Sequence, residues 1–182
     1  MPETSLSIRL LGEPVLRKKA SPVKQINSLQ RDTLSKMAQL MYAAQGIGLA
    51  APQVGINEAM IVADIGSGLY KLINPKIVKK EGSQVMEEGC LSLPGIWIKV
   101  KRAKKVIVRA QDEFAKTLTL EAEGLLACVF QHEIDHLKGR LMVDYASFFQ
   151  RLKIRKKLAE LKTRPIDEEL PESKTKSCKL QL

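Results

Sequence analysis

Between Asn27 and Ala44 the apolar positions Leu34, Met37, Met41 and Ala44 recur at steps of three and four, which predicts a helix with one buried face. Asn27 or Ser28 is suited to cap its start, and Gly46 to stop it. The stretch GIGLAAPQVG (46–55) is too glycine-rich to continue that helix and reads as a loop. The period then shortens. AMIVADI (59–65), LYKLINP (69–75), KKVIVRA (104–110) and TLTLEAE (117–123) carry β-branched residues in partial alternation and predict short strands. Asn74-Pro75 and the polar stretch around Asp112 predict turns. A second helix is expected from Gly124 to Leu137 with Gly139 as its stop, and a third, basic and amphipathic, over FFQRLKIRKKLAELKTR (148–164). Beyond Arg164 the chain is polar and proline-bearing, which predicts a disordered tail over 165–182. The order helix, strands, helix, helix implies one α+β domain over residues 1–164 with a mainly antiparallel sheet.

Composition narrows the class. With 182 residues the chain is long enough for a single sizeable core. No apolar run approaches the ~20 residues of a membrane-spanning helix, and the opening MPETSLSIRLLGEPVLRKKA lacks the apolar block of a secretory signal. A cytoplasmic protein is the expectation. The net charge is +10, and half of it lies from Arg151 onward, where ten Lys and Arg face five Asp and Glu. Such an excess either attracts polyanions, nucleic acid first among them, or only keeps a surface soluble. Three cysteines, Cys90, Cys128 and Cys178, are an odd number without regular spacing, which argues against a disulfide framework.

The second helix carries His132 and His136, and the chain has no other histidine. At i and i+4 they lie about 40° apart around the axis and about 6 Å along it, so both imidazoles can converge on one ion. Leu126, Phe130, Ile134 and Leu137 fall together on the roughly opposite side, Leu125 and Val129 share the histidine side, and Gln131, Asp135 and Lys138 form a separate polar strip. Apolar on two sides, this helix is expected at the centre of the fold. Glu133 is the candidate general base. Angular position does not separate it from Asp135, but its longer reach and the H-E-x-x-H pattern of metallohydrolases favour it, and Asp135 is left to bond at the helix surface.

Two histidines leave a hydrolytic metal site one protein ligand short. Cys128 lies about 12 Å along the axis from His136, too far to share one ion, and reads as a pocket wall or core residue. Cys178 sits in the polar tail. Cys90, in EEGCLSLPG (87–95), remains, giving a Cys-His-His site with a fourth position for water. Gly48 and Gly89 would let backbone press close to such a site, and Leu125, Cys128 and Val129, with Met86, are candidate walls for an apolar slot.

GIGLAAPQVG, EEGCLSLPG and QHEIDHLKG, in that order, together resemble the signature segments of the peptide deformylases. RLLGEPVLRKKASPV near the start and GRLMVDY after the helix are also similar to that family, so the resemblance spans roughly residues 8 to 160. It implies metal ligands at Cys90, His132 and His136, a catalytic glutamate at Glu133, oxyanion donors at the Gln53 amide and the Leu91 N–H, and a substrate-side glycine at Gly48. It also implies one divalent ion, commonly Fe(II), with Zn(II), Ni(II) or Co(II) as substitutes. The implied substrate is the N-formyl-methionyl end of new bacterial or organellar polypeptides, and the implied setting the bacterial cytoplasm. The chain departs from the family where QDEFAK replaces an Asp-Gly-type turn, and Trp97 either caps the side-chain pocket or packs. The third helix either docks on ribosomal RNA or is a solvated surface helix packed by Leu152, Leu158 and Leu161. Two other classes share some features. A zinc endopeptidase would have the H-E-x-x-H helix but needs a third His or Glu in a downstream motif. A basic binding protein with a structural metal would need a closed, usually four-ligand site.

Overall fold

The computed structural model describes residues 6–163, so the expected tail at 165–182 lies outside the described residues. The elements are α1 (Ser28–Ala43), β1 (Gly48–Ala50), β2 (Met60–Ala63), β3 (Tyr70–Glu81), β4 (Gln84–Glu88), β5 (Ile98–Arg102), β6 (Lys105–Gln111), β7 (Thr117–Glu123), α2 (Gly124–Leu137) and α3 (Phe148–Thr163). Five strands form one antiparallel sheet in the order β1-β2-β3-β6-β7, and β4 and β5 form a separate antiparallel hairpin. The α+β architecture is the one expected.

Three apolar clusters hold these layers together. In the first, α2 packs against one face of the sheet through Phe130, Ile134 and Leu137 meeting Ile61, Leu72 and Val108. In the second, α1 lays Leu34, Met37 and Met41 on the opposite face, against Leu49, Met60 and Val62. The alternation of a strand sends neighbouring residues to the two sides, which is why Ile61 and Val62 serve different clusters. The third lies under the β4–β5 hairpin and joins Leu93, Ile98 and Val100 to Met142, Val143 and the inner side of α3. Cys90 belongs to the third cluster, Leu91 to the second, and Cys128 with Val129 to the first. The three cores therefore meet where the candidate ligands lie.

Several expectations change. GIGLAAPQVG is not a loop: Gly48–Ala50 pairs with β2, and Ala51–Val54 forms a 3-10 turn. The α1 helix is capped by Asn27 as expected, but the left-handed residue after it is Gln45, not Gly46. Asn74-Pro75 is not a turn between strands. It sits inside β3 at a register shift, with Asn74 in a left-handed conformation. The Asn74 side chain accepts from the Val23 N–H and donates to the Val23 carbonyl, both at 2.9 Å, which anchors this bulge. Between β6 and β7, Asp112 Oδ1 accepts from the N–H groups of Phe114 and Lys116, and Ala115 takes the positive φ that glycine takes in an Asp-Gly turn. Strands β4 and β5 were not expected. In β5, Ile98, Val100 and Arg102 point inward and Lys99 and Lys101 outward, and an arginine on the core face disguised the period. On α3, Ile154, Leu158 and Leu161 pack inward, while Leu152, expected among them, is exposed.

Candidate metal centre

Residues 127–137 of α2 are all buried, so this helix has no solvent face over three turns. Polar groups there must find partners or remain costly. The two imidazoles face each other one turn apart, with Nε2 atoms separated by 3.2 Å. The β4–β5 hairpin brings in Cys90 immediately after β4, its Sγ 3.4 Å from His136 Nε2. The three ligand atoms lie within 4.8 Å of one another. A tetrahedral ion with ordinary metal–nitrogen and metal–sulfur bonds needs its ligand atoms about 3.4–3.6 Å apart. The separations of 3.2 and 3.4 Å fit a single ion, and no other group of three such side chains converges among the described residues.

Each histidine is tuned differently. His132 Nδ1–H donates to Glu88 Oε2 at 2.9 Å, which fixes the tautomer and turns the Nε2 lone pair towards Cys90. Burial alone would lower the His132 pKa, but Cys90 and Glu88 outweigh it and raise it, so an ion binding at Nε2 must displace a proton there. His136 lacks such a carboxylate, and burial holds its pKa well below the ordinary value, so its ring is neutral as a ligand requires.

Glu88 is fully buried and accepts four bonds. Arg102 donates to both its oxygens at 2.7 and 2.9 Å, Cys128 Sγ to Oε1 at 3.2 Å, and His132 to Oε2. Burial would raise the Glu88 carboxyl, but Arg102 and His132 hold it down to about 2. Cys128 is core: burial and the neighbouring Glu88 push its thiol well above the ordinary range, so it stays protonated and donates.

Glu133 has no such company. It is fully buried, and neither carboxylate oxygen has a partner among the described residues. Burial pushes its pKa up to about 7. Asp135, expected at the helix surface, is instead buried and engaged by Arg102 at 2.5 Å and Tyr145 at 2.7 Å. A Cβ at Gly48 would stand 2.3 Å from Glu133 Oε1 and 3.0 Å from Val129, so only glycine lets β1 lie against this carboxylate.

Gln53 sits on the 3-10 turn after β1. Its Oε1 accepts from the Ala50 N–H at 2.8 Å, which leaves Nε2 facing the site, 3.5 Å from Cys90 Sγ and 3.2 Å from Ser92 Oγ. Leu91 follows Cys90 and is buried. Leu125 and Met86 are half-buried against the first cluster, and Val129 is fully buried in it. At Gly89 the space a side chain would fill is taken by the Trp97 indole, 2.9 Å from where a Cβ would stand, so Trp97 packs on the hairpin backbone.

Sequence reasoning missed Glu88, Arg102, Asp135 and Tyr145 as a connected group. One signal was available: a metal-bound imidazole almost always donates its second N–H, and Glu88 is the acid two residues before Cys90.

A candidate Cys-His-His donor set beside a buried carboxylate unpaired among the described residues, both histidines on one H-E-x-x-H helix, is the arrangement of a metallohydrolase. Residues 5–152 match the family described as polypeptide deformylase. The chain belongs to that family, metal-dependent hydrolases that remove the N-formyl group from nascent polypeptides. It is 51% identical over 141 residues to a peptide deformylase of Halothermothrix orenii, covering 76% of this chain and 92% of that one. It is 55% identical over 132 residues to one of Syntrophomonas wolfei, covering 72% and 87%. Its fold matches the crystal structure of a peptide deformylase from Synechococcus elongatus in complex with actinonin, with TM-score 0.81, 42% identity and 88% of each chain covered.

Proposed function

We propose that Cys90, His132 and His136 hold one divalent ion, natively Fe(II), with Zn(II), Ni(II) or Co(II) as substitutes, and that the site deformylates N-formyl-methionyl peptides. The observation that carries this reading is the convergence of the three ligand atoms next to a buried carboxylate with no partner among the described residues. When bound, such an ion acidifies a water molecule and polarises the formyl carbonyl. Glu133, its pKa near neutrality, would take a proton from an attacking water in the site and later deliver one to the departing amine. The Gln53 side-chain amide and the Leu91 N–H stabilise the charge that gathers on the formyl oxygen; losing one such donor typically costs about 3 kcal/mol of barrier. Gly48 keeps β1 close enough to exclude larger acyl groups, and Leu125, Val129 and Met86 offer apolar surface to the methionine side chain. Gly89 acts indirectly, by seating Trp97, and Cys128 by bonding Glu88.

The catalytic unit is residues 1–164, with 165–182 outside it, and its setting is the bacterial cytoplasm, as the bacterial relatives suggest. No described helix is long and apolar enough to cross a membrane. On α3 the exposed basic residues Arg151, Lys153, Arg155, Lys156 and Lys157 suit ribosomal RNA. Deleting the chain beyond Phe149 should then reduce co-sedimentation with ribosomes at low salt; unchanged co-sedimentation removes the docking idea.

The decisive test of the site is anaerobic purification, elemental analysis, and formate release from formyl-Met-Ala on the same sample. One equivalent of iron with formate release is expected, and no cleavage of an unblocked peptide. A chain that releases no formate when loaded with metal overturns the reading.

A further inference from the structure

Two elements supply the ligands. The β4–β5 hairpin carries Cys90 and α2 carries both histidines, and their separation sets the 3.4 Å between Cys90 Sγ and His136 Nε2. We infer that Asp135 and Tyr145 are positioning residues for the metal centre, acting through Arg102 on Glu88 and so on both ligand-bearing elements. The inference rests on the metal site proposed above.

The contacts form an unbroken chain. Tyr145 Oη donates to Asp135 Oδ2 at 2.7 Å, and Arg102 Nη1 donates to the same oxygen at 2.5 Å. The other two guanidinium nitrogens, Nε and Nη2, donate to Glu88, which accepts from His132 Nδ1. A planar guanidinium fixes its three nitrogens rigidly, so Glu88 on the hairpin and Asp135 on α2 are held at a set distance. Glu88 lies two residues before Cys90, and Asp135 lies between His132 and His136. The same arginine therefore fixes the sulfur against the imidazoles and orients the His132 ring. The Tyr145 ring braces the guanidinium, with Arg102 Cζ 4.8 Å from its centroid. His132, Glu88, Arg102 and Asp135 are at most 8% exposed, whereas Tyr145 is 39% exposed. The hydroxyl at the edge is thus one end of a chain whose other end is a ligand nitrogen.

A merely cohesive network would affect stability but leave the metal's surroundings alone. The test uses the full chain loaded with Co(II), reading the thiolate charge-transfer and ligand-field bands and the rate of Co(II) loss to excess chelator. Asp135→Asn should lose Co(II) about 10- to 100-fold faster, with shifted bands, the usual scale when an outer-shell partner of a metal ligand is altered. Tyr145→Phe keeps the ring and removes one donor; about a threefold faster loss is expected, with a smaller shift in the same direction. Val143→Ala, a packing loss in the same segment, should lower thermal stability yet keep wild-type bands and rate. The inference is overturned if Asp135→Asn and Tyr145→Phe both match wild type, or if Val143→Ala shifts the bands as far as they do. If Asp135→Asn does not fold, Tyr145→Phe against Val143→Ala decides. A wild-type chain that takes up no Co(II) sinks the metal site and this inference together; a wild type that binds while the variants match it sinks the inference alone.

Discussion

Helices α2 and α3 have similar lengths, fourteen and sixteen residues, and opposite surroundings. In α2 every residue from 127 to 137 is buried, and its polar side chains are paired, gathered at the ligand cluster or, in Glu133, without a partner among the described residues. In α3 no side chain over 148–161 is fully buried, and Phe148 is 75% exposed. In the buried helix each polar group is expensive, so its presence requires a chemical reason. On the exposed one, charges are cheap and say less. The same residue type carries different information in the two places, and substitutions should show it.

The largest effect belongs to Glu133. Glu133→Gln should keep its metal and lose about a thousandfold in formate release; a variant retaining more than about a tenth of the wild-type rate contradicts the role of base. Packing comes next. Phe130→Ala on α2, where the ring is fully buried, should cost about 3–5 kcal/mol in denaturant unfolding, and Ile154→Ala on α3, only half-buried, about 1 kcal/mol. Equal losses would erase the contrast between the helices. Gly48→Ala drives a methyl into the Glu133 carboxylate and Val129, and should lower kcat about tenfold while metal content is unchanged.

The smallest effect is pH-dependent and lies on the surface between the helices. Burial alone would raise the Asp144 carboxyl, but its bonds from Arg17 at 2.6 Å and from the Leu141 N–H outweigh burial and lower it. A carboxyl with a lowered folded pKa contributes stability above its unfolded value and loses it as pH falls through the folded one. Asp144→Asn should therefore destabilise at pH 7, and the gap should close as pH falls below the ordinary 3.8. Because the side chain is 39% exposed, solvent screening limits the gap to about 0.5 kcal/mol. Thermal unfolding across pH 2.5–7 checks both the sign and the size.

The sequence is most readable where a pattern is local. Two histidines at helical spacing show their convergence without any knowledge of what packs around them, and Cys90 follows by eliminating the other thiols. The α1, β6, β7 and α2 segments, with regular periods and caps, lie where the pattern puts them. The misreadings arise where a partner is distant in sequence. Gln131 and Asp135 look like a solvent strip because nothing within the helix reveals Ala103 and Arg102, about thirty positions away, closing over them. Asn74-Pro75 looks like a turn because the groups that hold it as a bulge belong to Val23. GIGLAAPQVG looks like a loop because its strand exists only by pairing with β2. Glycine there signals close approach to Glu133 rather than flexibility.

The only tryptophan of the chain seats its indole on Gly89, the residue before Cys90. Its fluorescence is thus a label-free optical probe of the hairpin. An ion with partly filled d orbitals arriving at Cys90 should quench that emission, and Zn(II), with its filled shell, should quench it far less. Metal exchange becomes something to watch in real time, without substrate.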